Sequence, residues 1–246
     1  MDDTLQAEWY DLKDGERQEF LDWLHGIHLP RVQARNGILW VGHYGLIART
    51  RKTSADPGGP LRSHVNDPTL PTGGDYLLLT AAATPDVFFD PHRKDEDAET
   101  KRWLAKRVGH RQSIFITEAR VNGPEYRALM PGAGAPPAMQ LGNFITKTPQ
   151  DDWELGRWYR QLRFPQITRT RGCIAVRKLV GVAGWARHGV LYEFTGMDPD
   201  EENFEKRFRD AADTEKWEGR HVLEYVLHGP GRHGGPRLWP ALKAKK

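Results

Sequence analysis

The chain has 246 residues, 38% hydrophobic and 28% charged, and no apolar run near the roughly 18 residues of a membrane-spanning helix, which excludes such a span. Its 36 basic and 33 acidic residues leave a net charge of +3 without the concentrated basic stripe of a nucleic-acid binder. A single cysteine, Cys173, excludes an internal disulfide framework and a cysteine-rich zinc site, and is expected to pack as a small apolar residue in a strand.

Glu8 to Leu12 reads as a short strand, and Gly15 to Gly26 as a helix with Phe20, Trp23, Leu24 and Ile27 on one face. Pro30 is expected to end that helix, and Gly37 to open the strand Ile38 to Tyr44. Asp75 to Thr80 is a third strand, a second helix falls from Asp95 to Val108, and Ser113 to Val121 is a fourth strand. The same order then returns: strand Asn143 to Lys147, helix Gln150 to Gln161, strands Cys173 to Val180 and Val190 to Thr195, a helix Pro199 to Ala212 and a strand His221 to His228. Asp198 and Glu201 form a capping-box pattern around Pro199.

The return is a duplication. Trp23, Pro30 and Gly37 recur as Trp158, Pro165 and Gly172, each 135 positions on (158 minus 23, 165 minus 30, 172 minus 37). Downstream, Gly74 to Thr80 aligns with Gly189 to Thr195 at an offset of 115, and Ile116 to Glu118 with Val222 to Glu224 at 106. The order strand, helix, strand, strand, helix, strand is that of the ferredoxin-like fold, whose sheet carries helices on one face only. Two such sheets in one chain can cover each other's open face. The expected fold class is therefore α+β, with tandem ferredoxin-like units forming an intramolecular, pseudo-dimeric α+β barrel: residues 1–122, a Pro- and Gly-rich linker 123–142, and residues 143–246.

The segment Trp23 to Tyr44, with Trp-x4-His-x-Pro as Trp23, His28 and Pro30, then Gly37 and a strand ending His43-Tyr44, resembles the EthD-like proteins of the dimeric α+β barrel superfamily. The second copy repeats it with Arg163 in the place of His28. The resemblance implies a shared fold. It leaves the chemistry open, since such proteins include isomerases, cyclases, cofactor-free monooxygenases, haem enzymes and proteins of unknown activity.

His28 matches the family position and titrates near neutrality, so it is expected either to transfer a proton or to cap the helix end. His25, three residues earlier, could pair with it on a metal, but no third ligand stands at defined spacing. Tyr44, sharing a strand face with Trp40, could hold a substrate oxygen or pack with a satisfied hydroxyl; His43 points to the opposite face, so one of the two faces the barrel. Glu118 and Glu224 sit mid-strand among apolar residues, either ion-paired or tuned for proton transfer, with Arg120 and Arg127 as countercharges for the first; Glu193 raises the same question. The loop Arg51 to Gly73, with Arg62 and His64 near its centre, is expected to be a lid or disordered.

The sequence thus points to a cytoplasmic, cofactor-independent lyase, isomerase or cyclase acting by proton transfer on a small hydrophobic or aromatic carbonyl compound. His28, Tyr44 and Glu118 would be catalytic, and Trp40, His43, Arg62 and His64 would bind substrate. No cofactor, metal, nucleic acid or membrane is expected, and a second copy of the chain is the expected protein partner. A haem enzyme on the same scaffold, or a non-catalytic binding or assembly protein, are the alternatives.

Overall fold

The computed structural model describes residues 2–47, 63–89, 97–127, 134–196, 225–231 and 234–242. Its strands are β1 (Thr4–Asp11), β2 (Ile38–Gly45), β3 (Tyr76–Ala82), β4 (Val108–Asn122), β5 (Ala138–Thr146), β6 (Cys173–Gly184), β7 (His188–Phe194), β8 (Val226–His228) and β9 (Gly234–Trp239). Its α-helices are α1 (Arg17–Trp23), α2 (Leu29–Gln33), α3 (Ala98–Leu104), α4 (Pro149–Trp158) and α5 (Phe164–Ile167).

The strands form one antiparallel sheet in the order β7-β6-β4-β1-β3-β2-β9-β5-β8, and β5 also pairs with β7, which closes the sheet into a barrel. Within unit one the order β4-β1-β3-β2 is the ferredoxin-like order. In unit two β8 and β9 lie end to end along one edge of β5, β8 against Phe144–Thr146 and β9 against Ala138–Gln140, so together they act as that unit's fourth strand. The units join at two seams, β4 with β6 and β2 with β9. Each seam pairs one unit's second strand with the other's fourth, the pseudo-twofold relation the duplication predicts.

Period-2 alternation sorts the side chains. Leu5, Ala7 and Trp9 of β1 point into the barrel with Leu77, Leu79, Phe115, Met139, Leu179 and Leu191, so both sheets share one apolar core. Tyr10, Val41, Tyr76 and Leu78 point outward into a second core with Phe20, Trp23, Leu29 and Trp103 of unit one's helix layer. Cys173 is fully buried in unit two's outer core, and burial pushes its thiol up to about 12.

The facing of these residues corrects the alignment of the third strands. The offset of 115 would match Tyr76, which faces the helices, with Leu191, which faces the barrel. Tyr76 pairs with Tyr10 in β1, and the equivalent outward pair is Phe144 with His188, so the offset is 112 (188 minus 76).

Pro30 does not end the first helix. A π-helical turn, Leu24–His28, runs directly into α2, and its shifted bond, Leu29 N–H to Leu24 O, lets the helix continue past Pro30, which has no N–H to give. Unit two repeats the device with a π turn at Tyr159–Arg163 and Pro165 at the start of α5. Gly37 and Gly172 follow with φ of 81° and 84°, in the left-handed region that favours glycine. The repeated Trp, Pro and Gly therefore encode one local backbone path used twice.

β1 and β5 begin earlier than expected, β5 inside the expected linker. α4 starts with a capping box of Thr148 and Asp151, and Asp97 caps α3 through Thr100 N at 2.6 Å. The expected helix at 199–212, Arg62 and Glu224 lie outside the described residues, as do residues 51–62 of the expected lid. Among the described residues no helix is long and apolar enough to cross a membrane.

Candidate functional site at a seam between the units

β4 carries a bulge where it meets β6: Thr117 opposes Leu179 and Ala119 opposes Lys178, leaving Glu118 as the extra residue. Three residues after barrel-facing Phe115, Glu118 faces outward by alternation, its carboxylate ion-paired with the ammonium of Lys178, whose side chain is only 3% exposed. Arg120, an expected partner of Glu118, turns instead to Asp2.

A groove of about 510 Å³ lies over this pair, between α4 and the outer face of β6 and β7. Glu118, Lys178, Asp152, Trp153, Arg157 and Arg187 line it, with Gly156, Val180 and His188. Asp152, in the first turn of α4, accepts from Thr146 Oγ1, from His188 Nε2 at 2.7 Å and from Arg187 Nη2 at 2.6 Å. Burial alone would raise its carboxyl, but these bonds outweigh it and hold the group below the ordinary carboxylate range. His188 is pushed down by burial, against the pull of Asp152, so the imidazole is neutral at pH 7. The groove combines a countercharged carboxylate, two exposed guanidinium groups and the indole of Trp153, which is 74% exposed.

Glu118 is the expected catalytic residue that lines the groove; His28 and Tyr44 do not. His28 is buried in unit one's helix layer, its ring stacked on Trp23 at 5.0 Å, and among the described residues it makes no hydrogen bond. Burial, helped by Arg35, pushes its pKa down to about 4. Tyr44 points into the barrel and donates its hydroxyl to Pro136 O at 3.1 Å. Trp40 lies beside it in the same core and donates Nε1–H to Asp2 Oδ2 at 2.9 Å. The three expected catalytic groups thus occupy three separate environments. His64 sits at the edge of β8, bridged to His228, rather than in the groove.

His43 faces unit one's helix layer. Its Nε2 lies 2.7 Å from the Tyr10 hydroxyl and its Nδ1 lies 2.8 Å from His25 Nε2. Tyr10 has no other polar partner among the described residues, so its O–H donates to His43 Nε2, and His43 Nδ1–H then donates to His25. Burial holds His43 well below its ordinary pKa, with His25 adding to the effect.

Glu193 lies in the barrel with Arg177, Nη2 to Oε1 2.5 Å, and Arg177 also holds Asp2 at 2.7 Å. Arg177 and Lys178, adjacent in β6, therefore form no basic surface stripe, since both are buried and ion-paired. Sequence reasoning missed Lys178, Asp152 and Arg187. A lysine in the interior of a strand is the one signal that could have found the first, because a buried ammonium demands a carboxylate partner.

No family model matches the sequence, and no curated protein matches it. Among solved structures, an anthrone oxidase-like protein is 12% identical, with 99% of this chain and 96% of that chain covered and a TM-score of 0.54. A dye-decolorizing peroxidase from Bacteroides thetaiotaomicron is 10% identical, with 96% and 93% covered and a TM-score of 0.53. The chain has the fold of the dimeric α+β barrel superfamily, with both halves in one polypeptide.

The described groove does not suit haem. An axial imidazole needs a ring nitrogen open to the cavity. The groove's histidine, His188, is 5% exposed, its Nε2 is held by Asp152, and its Nδ1 is buried. Among the described residues no group of three or more His, Cys, Asp or Glu is arranged to hold a metal.

Proposed function

We propose that the protein is a proton-transfer enzyme of the lyase, isomerase or cyclase type that binds a small aromatic carbonyl compound in the seam groove, with Glu118 as the proton acceptor. The observation that carries this reading is a bulged carboxylate, backed by a buried ammonium, facing a groove of about 510 Å³. Lys178 supplies the countercharge and fixes the orientation of the Glu118 carboxylate. A proton removed next to a carbonyl leaves negative charge on the carbonyl oxygen, and the guanidinium groups of Arg157 and Arg187 at the rim can stabilise it. Trp153 offers an apolar surface for the ring.

The test is deuterium incorporation from D₂O into a panel of aromatic carbonyl compounds, followed by NMR. Glu118→Gln keeps the volume but cannot accept the proton, so exchange should fall by about 10² to 10⁴. Exchange at the wild-type rate in the Glu118→Gln protein would remove Glu118 from the chemistry.

A further inference from the structure

Gly156 lies in the interior of α4, where glycine costs about 1 kcal/mol relative to alanine. Some glycines here have a local reason, whereas Gly15, Gly26, Gly134 and Gly196 have none. Gly37 and Gly172 have positive φ, and a Cβ at Gly123 would lie 2.2 Å from Cys173 O. Gly156 has neither: its φ is not left-handed, and a Cβ built there meets only Glu118 Oε1, at 4.0 Å. A side chain at this position would stand in the groove, over Glu118.

Unit one supplies the comparison. The π turns begin one residue after Trp23 and after Trp158, so the two helices share a register, and the counterpart of Gly156 is Leu21 (156 minus 135). Leu21 packs against unit one's helix-layer core. Beneath it the counterparts of Lys178 and His188 are His43 and Tyr76, stacked at 5.4 Å, and Tyr76 stacks in turn on Tyr10 at 5.6 Å. At this one position the space between helix and sheet is filled with side chains in unit one and open as a groove in unit two.

We propose that Gly156 is the specificity-determining position of the groove: its missing side chain opens a slot between α4 and β6 through which a planar aromatic carboxylate reaches Glu118. The ring occupies the slot, and the ligand's carboxylate meets the Arg157 guanidinium at the rim. Glu118 and Asp152 are already paired within the protein, whereas Arg157 reaches Glu154 only at 3.5 Å and is 59% exposed, which favours an anionic ligand. This inference rests on the seam groove being the substrate site, and its test reads binding rather than turnover.

The probe is 1-naphthoate, titrated calorimetrically into the full chain, with 1-naphthylmethylamine as the cationic control. The wild-type protein should bind the naphthoate in preference to the amine. Gly156→Leu should weaken naphthoate binding about tenfold or more, and Gly156→Ala by less. Both variants should melt at or above the wild-type temperature, because a better helix former replaces glycine. Leu21→Gly in unit one should leave binding unchanged. Unchanged naphthoate affinity in Gly156→Leu or in Gly156→Ala, the latter serving if the leucine variant does not fold, would overturn the proposal. So would the lack of saturable wild-type binding at millimolar naphthoate. If Gly156→Leu abolishes binding while Glu118→Gln retains wild-type exchange, the slot stands and the proton-transfer role of Glu118 falls.

Discussion

Acidification should loosen unit one's helix layer, and His28 gives the effect a size. Its folded pKa of about 4 lies below the ordinary 6.5, because the ring is buried against Trp23 and near Arg35. The folded chain therefore binds this proton less tightly than the unfolded one. The stability His28 contributes is whole above about pH 6.5 and is lost as pH falls toward about 4. With those two values the linkage relation gives a loss of about 2 kcal/mol between pH 7 and pH 5 from His28 alone. His43 and His25, both also depressed by burial, act in the same direction. The assay is urea unfolding followed by tryptophan fluorescence at the two pH values, for the wild type and for His28→Gln. The variant should be less stable at pH 7, having lost the stack on Trp23, yet its stability should drop by about 2 kcal/mol less on acidification. Parallel pH profiles for the two proteins would refute the reasoning. They would mean that His28 keeps an ordinary pKa and is open to solvent.

Arg177→Met strips the countercharge from Asp2 and Glu193 inside the barrel and should cost about 3 to 5 kcal/mol in chemical denaturation, with much of that recovered when both carboxylates are also made neutral. Gly37→Ala and Gly172→Ala both force alanine into positive φ, about 1 kcal/mol or more each in thermal melts. Gly37→Ala should cost more, since its Cβ would lie 2.7 Å from Val87 Cγ2 whereas the nearest atom at Gly172 is 3.7 Å away. Tyr10→Phe leaves His43 Nε2 a buried acceptor without its donor, which should lower stability by about 1 to 3 kcal/mol in the same melts.

Local signals were legible where the chain's own chemistry sets the path. The spacing of Trp23, Pro30 and Gly37, and its repeat at Trp158, Pro165 and Gly172, marks a π turn, a proline in the first turn of the next helix, and a left-handed glycine in each unit. Pro30 reads as a stop in one dimension; only the hydrogen-bond shift of the π turn lets the helix continue past it. The third strands were aligned one face out of phase because both are apolar throughout, and with sheets covered on both sides composition does not reveal which residues face the barrel.

By itself the sequence determined the duplication, the strand and helix order of unit one and that of unit two as far as β7, and hence two sheets whose open faces must cover each other, because those depend on local propensity and on burying apolar surface. The tertiary structure alone decided the site. Glu118 comes from unit one and Lys178 from unit two, 60 residues apart, and they meet because β4 pairs with β6 in a register that sets both side chains on the outer face of the same seam. The separation of His28, Tyr44 and Glu118 was equally hidden, since each lies on a plausible element and only sheet closure sends one into the helix layer, one into the barrel and one to the seam. Pairing between distant strands depends on long-range register, and that is physical information no window of neighbouring residues contains.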